Sequence, residues 1–259
     1  MGLIMDNPLV SVIIPVYNGE VLVGKAIDSA LNQNVDIEII VINDCSSDNT
    51  LQILKSYNDD RIVVLNNEYN CGVAKSRNKG VNAARGKYIA FLDADDFWSE
   101  GKLKKQLELI EKMNAPMCVT ARRLLTPEGK ATNRVIPVKD TITYKDLLKH
   151  NSISCSSVLM LTSIAKEFPM SHDNDSHEDY IMWLNVLKKY NFACGINEPL
   201  LNYRLSTKGK SGNKLKSAKM TFKAYKYSGL STAKSIACFC SYAFNGVKKY
   251  VASYYGDKK

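Results

Sequence analysis

No stretch of this chain runs for the roughly 18 uninterrupted apolar residues that a membrane-spanning helix needs, so the sequence offers no candidate span. Histidine is scarce. His150, His172 and His177 are the only three in 259 residues, which leaves little for a histidine-rich metal centre. The seven cysteines form no C-x-x-C pair, and their odd number and irregular spacing fit reduced thiols better than a disulfide framework. Cys238 and Cys240 sit too close together in an apolar stretch to suggest a zinc site. No G-x-G-x-x-G follows the first apolar run, and no G-x-x-x-x-G-K-[ST] occurs, so the dinucleotide and P-loop fingerprints are absent. The N-terminus lacks a basic region, a long apolar core and a small-residue cleavage site, so a cytoplasmic location is expected.

What is present is a full core and an uneven charge. With 45% hydrophobic and 24% charged residues, the chain can bury one large α/β domain, or one domain with an appendage. From Leu201 onward thirteen Lys and Arg face one acid, Asp257, a local balance of +12 within a total of +9. Residues 1–200 therefore carry −3. A slightly acidic body with a strongly basic tail suggests that the tail meets an anionic partner, a membrane surface or nucleic acid.

The first hundred residues alternate strand and helix. Leu9–Val16 and Ile37–Ile42 are short apolar runs rich in β-branched residues, the pattern of strands buried on both faces. Arg61–Leu65 and Lys87–Leu92 read as two more strands. Val23, Ile27, Ala30 and Leu31 recur at helical spacing between the first two. Ser46, Ser47 and Asp48 offer an N-cap to a helix carrying Leu51, Leu54 and Tyr57. A third helix is expected over Val73–Ala84, stopped by Gly86. Repeated βαβ units imply a doubly wound, mainly parallel sheet.

The chain is organised around Lys87–Trp98, KYIAFLDADDFW, an apolar strand that halts at Asp93 with Asp95 and Asp96 close behind. Clustered carboxylates at the carboxyl end of a buried strand face the edge where open α/β sheets bind ligands, and they suit a hard cation such as Mg²⁺ or Mn²⁺. Capping of the next helix explains D-A-D-D equally well when it is taken alone. Polar residues also end the neighbouring strands: Tyr17 and Asn18, then Asp44. Each by itself is ordinary turn chemistry, but repetition at one sheet edge makes a site.

Beyond Trp98 the elements are shorter and mixed. A helix is expected over Ser99–Lys112, strands over Met117–Leu125, Arg134–Val138 and Ser157–Leu161, a short helix over Thr143–His150, and one or two strands within 192–205. A second acidic cluster, 173–179, opens a helix through Ile181, Leu184 and Leu187, where capping and catalysis are compatible roles. Lys208, Lys210, Ser211 and Lys214 form a Gly-containing basic loop suited to a diphosphate, although most such loops are simply solvated. The lysine-flanked apolar stretch Ser235–Val247 is too short to span a bilayer. It can lie on an anionic surface or pack on the domain, and the charge asymmetry favours the surface.

These motifs together resemble the family 2 glycosyltransferases of the GT-A fold, in particular bacterial enzymes of O-antigen, capsule and exopolysaccharide assembly. The matching stretches are VSVIIPVYNGE (10–20), VINDCSSDNT (41–50), NCGVAKSRNKGVNAARGKYIAFLDADD (70–96), HEDYIMWL (177–184) and LNYRLSTKGKSGNK (201–214), in family order over about residues 8–214. The resemblance implies a GT-A domain over 1–214, with a nucleotide-binding half at 8–98 and an acceptor-side half at 99–214, followed by a basic amphipathic helical tail over 215–259.

Residue by residue, it implies that Pro15, Tyr17 and Asp44 contact the nucleotide, with Asp44 facing uracil and Arg77 beside the base and ribose. Asp93 would face ribose and donor sugar, and Asp95 would ligate a divalent cation, Mn²⁺ or Mg²⁺, that bridges the diphosphate. Asp179 matches the general base and Glu178 is its neighbour. A carboxylate base with no enzyme nucleophile implies single displacement with inversion. The sequence departs from the family at Tyr203-Arg204-Leu205-Ser206, where many relatives have a histidine in place of Ser206. Lys210 is a candidate for neutralising the diphosphate instead.

The expected activity is therefore transfer of a hexose or N-acetylhexosamine from a nucleotide sugar, UDP-linked by the resemblance, to a glycan hydroxyl. The implied acceptor is a lipid-linked or free glycan, and a polyprenyl-diphosphate-linked one at the inner face of the cell membrane would also account for the basic tail. No nucleic-acid partner is expected, because the tail carries no recognisable reader motif. The alternatives are a metal-dependent nucleotidyltransferase, which would release pyrophosphate, and a non-catalytic nucleotide-sugar-binding subunit, against which intact Asp93, Asp95 and Asp179 argue.

Overall fold

A computed structural model describes residues 7–171, 175–206 and 214–242. Strands β1 (Val10–Val16) and β2 (Ile37–Asn43) are fully buried along their length, as continuous apolar runs require. Helix α1 (Val23–Leu31) connects them and buries Val23, Ala26, Ile27 and Ala30, one stripe at helical spacing. Helix α2 (Thr50–Ser56) leads to β3 (Ile62–Asn66), and α3 (Val73–Ala83) leads to β4 (Tyr88–Phe91). Helix α3 can lie close to the sheet because Gly80 has no side chain. A Cβ there would come within 2.7 Å of both Ile13 and Ile42.

The second half supplies β5 (Phe97–Trp98), α4 (Lys102–Met113), β6 (Met117–Leu125), β7 (Ala131–Ile136), β8 (Thr141–Thr143) and α5 (Tyr144–Lys149). A single 3-10 turn (Cys155–Ser157) then precedes β9 (Leu159–Leu161), α6 (Thr162–Glu167), α7 (Glu178–Tyr190) and β10 (Phe192–Arg204). Among the described residues the strands form one sheet in the order β3-β2-β1-β4-β9-β6-β10-β5, with β7 beside β6 and β8 beside β10. The pairs β3-β2-β1-β4 are all parallel. Antiparallel β9 joins that half to β6, which again runs parallel to β10.

Two apolar cores follow from the strand alternation. Ile13 of β1 faces one side of the sheet, where it shares a core with Phe91 and Trp183. Val10, Val12 and Ile14 face the other side and meet the buried stripes of α1 and α4. The result is helices on both faces of the sheet.

Several boundaries differ from the sequence-based expectation. Asn49 rather than Ser46–Asp48 flanks α2, although the Asp48 carboxylate still accepts the Thr50 N–H at 3.0 Å. Helix α4 starts at Lys102 behind Gly101 with no side-chain cap, so none of the D-A-D-D acids caps it. Residues 192–204 form one strand, bent where the register shifts around Pro199.

Helix α8 (Lys214–Tyr227) packs on α7. Tyr225 is fully buried, its hydroxyl donates to Leu148 O at 2.8 Å, and its ring meets Tyr180 edge-on. Residues 232–242 are also helical, and Phe239 packs against Phe222 while Tyr242 lies against His150. No helix among the described residues is long and apolar enough to cross a membrane. Residues 243–259, the rest of the expected tail, lie outside the described residues.

Candidate active site

The loops after β1 and β2 hold each other in place. The Asn18 N–H donates to Ser46 Oγ at 3.0 Å, and the Ser47 N–H returns a bond to Asn18 Oδ1 at 2.9 Å. The Gly19 N–H donates to Thr50 Oγ1 at 2.8 Å, and Glu20 accepts the Asn49 N–H at 2.9 Å. This lattice presents Tyr17, 53% exposed, at the carboxyl end of β1, next to Pro15.

Asp44 is held differently. It is buried, and its two oxygens accept from the Cys71 and Gly72 N–H groups at 3.0 and 2.9 Å and from Asn67 Nδ2 at 2.7 Å. Gly72, at φ +88°, is the residue whose backbone turns its N–H inward. Burial alone would raise the pKa of Asp44, but the donated hydrogen bonds outweigh it and hold the carboxyl below its usual value.

The acids after β4 separate into three environments. Asp93 and Asp95 line the cleft. Asp96 is buried beneath it, where it accepts Ser156 Oγ–H at 2.7 Å and the Arg204 N–H at 2.9 Å. Asp96 thus joins the 3-10 turn to β10 instead of capping a helix. Burial and the charges of Asp93 and Asp95 push its pKa well up. Burial and the Asp93 charge also push Asp95 up, to about 6.

Arg77, 4% exposed, lies between Asp93 and Glu178. One terminal nitrogen pairs with Asp93, and the other donates to Glu178 at 2.9 Å. Burial opposes its charge, but the carboxylates around it, Asp93 first, hold its pKa well above the usual value. Its Nε is buried without a partner among the described residues. Arg77, 101 residues from Glu178 in sequence, therefore joins the end of β4 to the start of α7 across the floor of the cleft.

Asp179 follows Glu178 in the first turn of α7 and also lines the cleft. One oxygen accepts the Tyr180 N–H at 2.7 Å. Burial, reinforced by the Glu178 charge, pushes its pKa up to about 7. His177, just before α7, bonds Ser217 Oγ at 3.2 Å and so anchors this turn to α8.

The cleft encloses about 1230 Å³, more than the roughly 300–1,000 Å³ of a typical small-molecule pocket. It brings together Pro15, Tyr17, Arg77, Asp93, Asp95, Glu178 and Asp179. Asp44 is buried and not part of the lining, and Lys210 lies outside the described residues. Ser206 is on the rim. The cleft also takes in Arg122, Arg134 and Tyr203, to which the motifs assign no role. The available signal was Arg122, which interrupts the apolar run Met117–Leu125 in its carboxyl half.

The acids present fit a divalent cation held in part by its substrate. Arg77 already compensates Asp93, whereas Asp95 carries a raised pKa that a cation would lower. Among the described residues no group of three or more His, Cys, Asp or Glu forms a complete cage. Mg²⁺-type ions are commonly held by one or two carboxylates, with phosphates and water completing the shell.

Comparison with known proteins agrees with this geometry. Residues 11–165 match the family model "Glycosyl transferase family 2". The chain is 38% identical over 247 residues to the putative teichuronic acid biosynthesis glycosyltransferase TuaG of Bacillus subtilis (strain 168), covering 94% of this chain and 98% of the relative. It is 34% identical over 261 residues to the UDP-Glc:alpha-D-GlcNAc-diphosphoundecaprenol beta-1,3-glucosyltransferase WfgD of Escherichia coli, covering 98% and 100%.

Among solved structures it resembles S. aureus TarS 1-349 in complex with UDP-GlcNAc, with a TM-score of 0.73 and 19% identity over 90% of this chain and 71% of that one. It also resembles the mannosyltransferase PcManGT from Pyrobaculum calidifontis in complex with GDP-Man and Mn²⁺, with a TM-score of 0.69 and 14% identity over 93% and 70%. These likenesses support the GT-A architecture expected from the motifs. The chain belongs to glycosyl transferase family 2 and is a glycosyltransferase of the hexosyltransferase class.

Proposed function

We propose that this enzyme moves a hexose or N-acetylhexosamine from a UDP-linked donor to a hydroxyl of a polyprenyl-diphosphate-linked glycan, with inversion, in assembly of a cell-surface polysaccharide. The observation that carries this reading is that Asp93 and Asp95, from the end of β4, share one cleft with Asp179, from the start of α7. A donor diphosphate needs the first pair and an attacking hydroxyl needs the third. The names of TuaG and WfgD support the polysaccharide context, and WfgD supports the UDP-linked donor and the diphosphoprenol acceptor.

Pro15 and Tyr17 border the nucleotide, and the Asp44 loop backs the base. Asp93, fixed by Arg77, faces the ribose and donor sugar. Asp95 would hold the divalent cation. When bound, that ion supplies positive charge to the diphosphate as it leaves. Lys210 is assigned a supporting role at the same diphosphate. Asp179 takes the proton of the acceptor hydroxyl as its oxygen bonds to the anomeric carbon and the bond from that carbon to the diphosphate breaks. Arg77 holds Glu178 beside Asp179, whose pKa the Glu178 charge raises, which strengthens it as a base. The reaction belongs at the cytoplasmic face of the membrane, where the basic tail meets anionic lipid.

The test is a panel of nucleotide sugars with Mn²⁺ or Mg²⁺ and a short prenyl-diphosphate-linked sugar as acceptor. UDP release that depends on the acceptor, and that Asp95→Ala abolishes, is expected. Release of pyrophosphate, or full turnover by Asp95→Ala, would overturn the assignment.

A further inference from the structure

Three adjacent strands, β7, β6 and β10, present one face to the cleft. Side chains alternate along a strand, and the residues of these strands that line the cleft are 134 and 136 on β7, 122 and 124 on β6, and 203 followed by 205 on β10 and just beyond it. The pairing is in register, with Arg122 opposite Ile136 and Leu124 opposite Tyr203. The face therefore combines two guanidinium groups with Leu124, Ile136, Leu205 and the Tyr203 ring.

The two arginines have charge to spare. Arg122 makes one long hydrogen bond, from Nη1 to Ser152 O at 3.4 Å, and lies 5.6 Å over the Tyr203 ring. Neither Arg122 nor Arg134 forms an ion pair with a described residue. A guanidinium has five N–H donors, in a fork that matches phosphate oxygens. The other arginines near the site are engaged: Arg77 with two carboxylates, and Arg204 with the backbone oxygens of Asp95 and Pro127 at 3.2 and 3.0 Å. Burial also lowers the pKa of Arg122, a cost that a bound anion would offset.

We propose that Arg122 and Arg134 bind the diphosphate of the acceptor, and that Leu124, Ile136 and Leu205 carry the first prenyl units attached to it. This rests on the reading of the acceptor as a prenyl-diphosphate-linked glycan. Asp93 and Asp95 repel a diphosphate that arrives without a cation, while the guanidinium groups of Arg122 and Arg134 attract one. The aliphatic side chains decide which diphosphate belongs there. A nucleoside diphosphate offers them nothing apolar beside its phosphates, whereas a prenyl diphosphate carries hydrocarbon directly on them. Leu205, 39% exposed, marks where such a chain would run out of the cleft.

The test uses farnesyl diphosphate as the prenyl probe and UDP with Mn²⁺ as the nucleotide probe, each titrated calorimetrically into the full-length protein. Wild type is expected to bind both together. Arg122→Gln and Arg134→Gln should each weaken farnesyl diphosphate at least about tenfold, the loss of one charge-assisted contact, and leave UDP affinity unchanged. Arg134 is exposed, so its variant remains informative even where the half-buried Arg122 variant folds poorly. Competition between UDP and farnesyl diphosphate, or equal farnesyl diphosphate binding by wild type and Arg134→Gln, would overturn the subsite. Wild type that binds farnesyl diphosphate as expected yet transfers nothing to a prenyl-diphosphate-linked sugar would instead count against the proposed function.

Discussion

A base must be ionised to accept a proton, and the proposed base, Asp179, is buried in the cleft beside the Glu178 charge. Burial and the Glu178 charge bring its pKa to about 7, near the range where a general base is most effective. The sign follows directly. Below that value Asp179 is protonated and cannot take the acceptor proton, and above it the base is fully present. A cation at Asp95, as proposed, would hold that carboxylate ionised, so with metal saturating kcat/KM should rise through a single limb near pH 7 and then level off. Asp179→Asn should lower kcat by roughly 10²–10⁴-fold, remove that limb and leave UDP affinity intact. A pH–rate profile with an unshifted limb in the variant would assign the base elsewhere. Arg77 shows what the sequence could not reveal at this scale. The motif placed it beside the base and ribose, but its partners include Glu178, a contact that exists only once α3 and α7 are brought together.

At the scale of elements, the parallel half was legible because strands buried on both faces must be continuous apolar runs, and β1, β2 and β4 are such runs. The second half was less so. Strand β5 is two residues long, and the order β9-β6-β10-β5 depends on pairings between distant segments that no local pattern encodes. Helix α4 illustrates both sides. Leu103, Leu107 and Ile110 marked its buried stripe, but Lys102 lies beside that stripe and is fully buried too.

The Lys102 ammonium donates to Gln106 Oε1 at 2.7 Å and lies 4.1 Å over the Trp98 ring. Burial lowers its pKa to about 7. The unfolded chain keeps that proton up to about pH 10.4, so between the two values the unfolded state binds more protons and stability rises with pH. Lys102 should add about 2 kcal/mol to unfolding free energy on going from pH 7 to pH 9. Chemical denaturation of wild type and Lys102→Met at both pH values checks this, since only wild type should gain that increment.

At the scale of the whole molecule, the charge division remains after folding. The described helices from 214 to 242 are built into the domain on one side, through Tyr225 and Phe239, and carry Lys219, Lys223, Lys226 and Lys234 exposed on the other. Lys223 is paired with Asp175, which leaves the others better placed to meet an external anion. Leu215 and Ile236, 79% and 53% exposed, add apolar contact to the same region of chain.

Packing on the domain and contact with a membrane are therefore compatible, because different faces of the same helices serve them. Each lysine near an anionic bilayer contributes about 1 kcal/mol, and salt screens that attraction within about a Debye length. Full-length protein should cosediment with phosphatidylglycerol vesicles at low salt, bind neutral vesicles weakly, and lose the anionic preference as salt rises. Replacing Lys219, Lys226 and Lys234 together by Gln should weaken binding by about tenfold or more without changing the core that holds these helices. Equal binding of variant and wild type would make this face an ordinary solvated surface. Displacement from vesicles by an oligonucleotide would redirect the basic charge to nucleic acid.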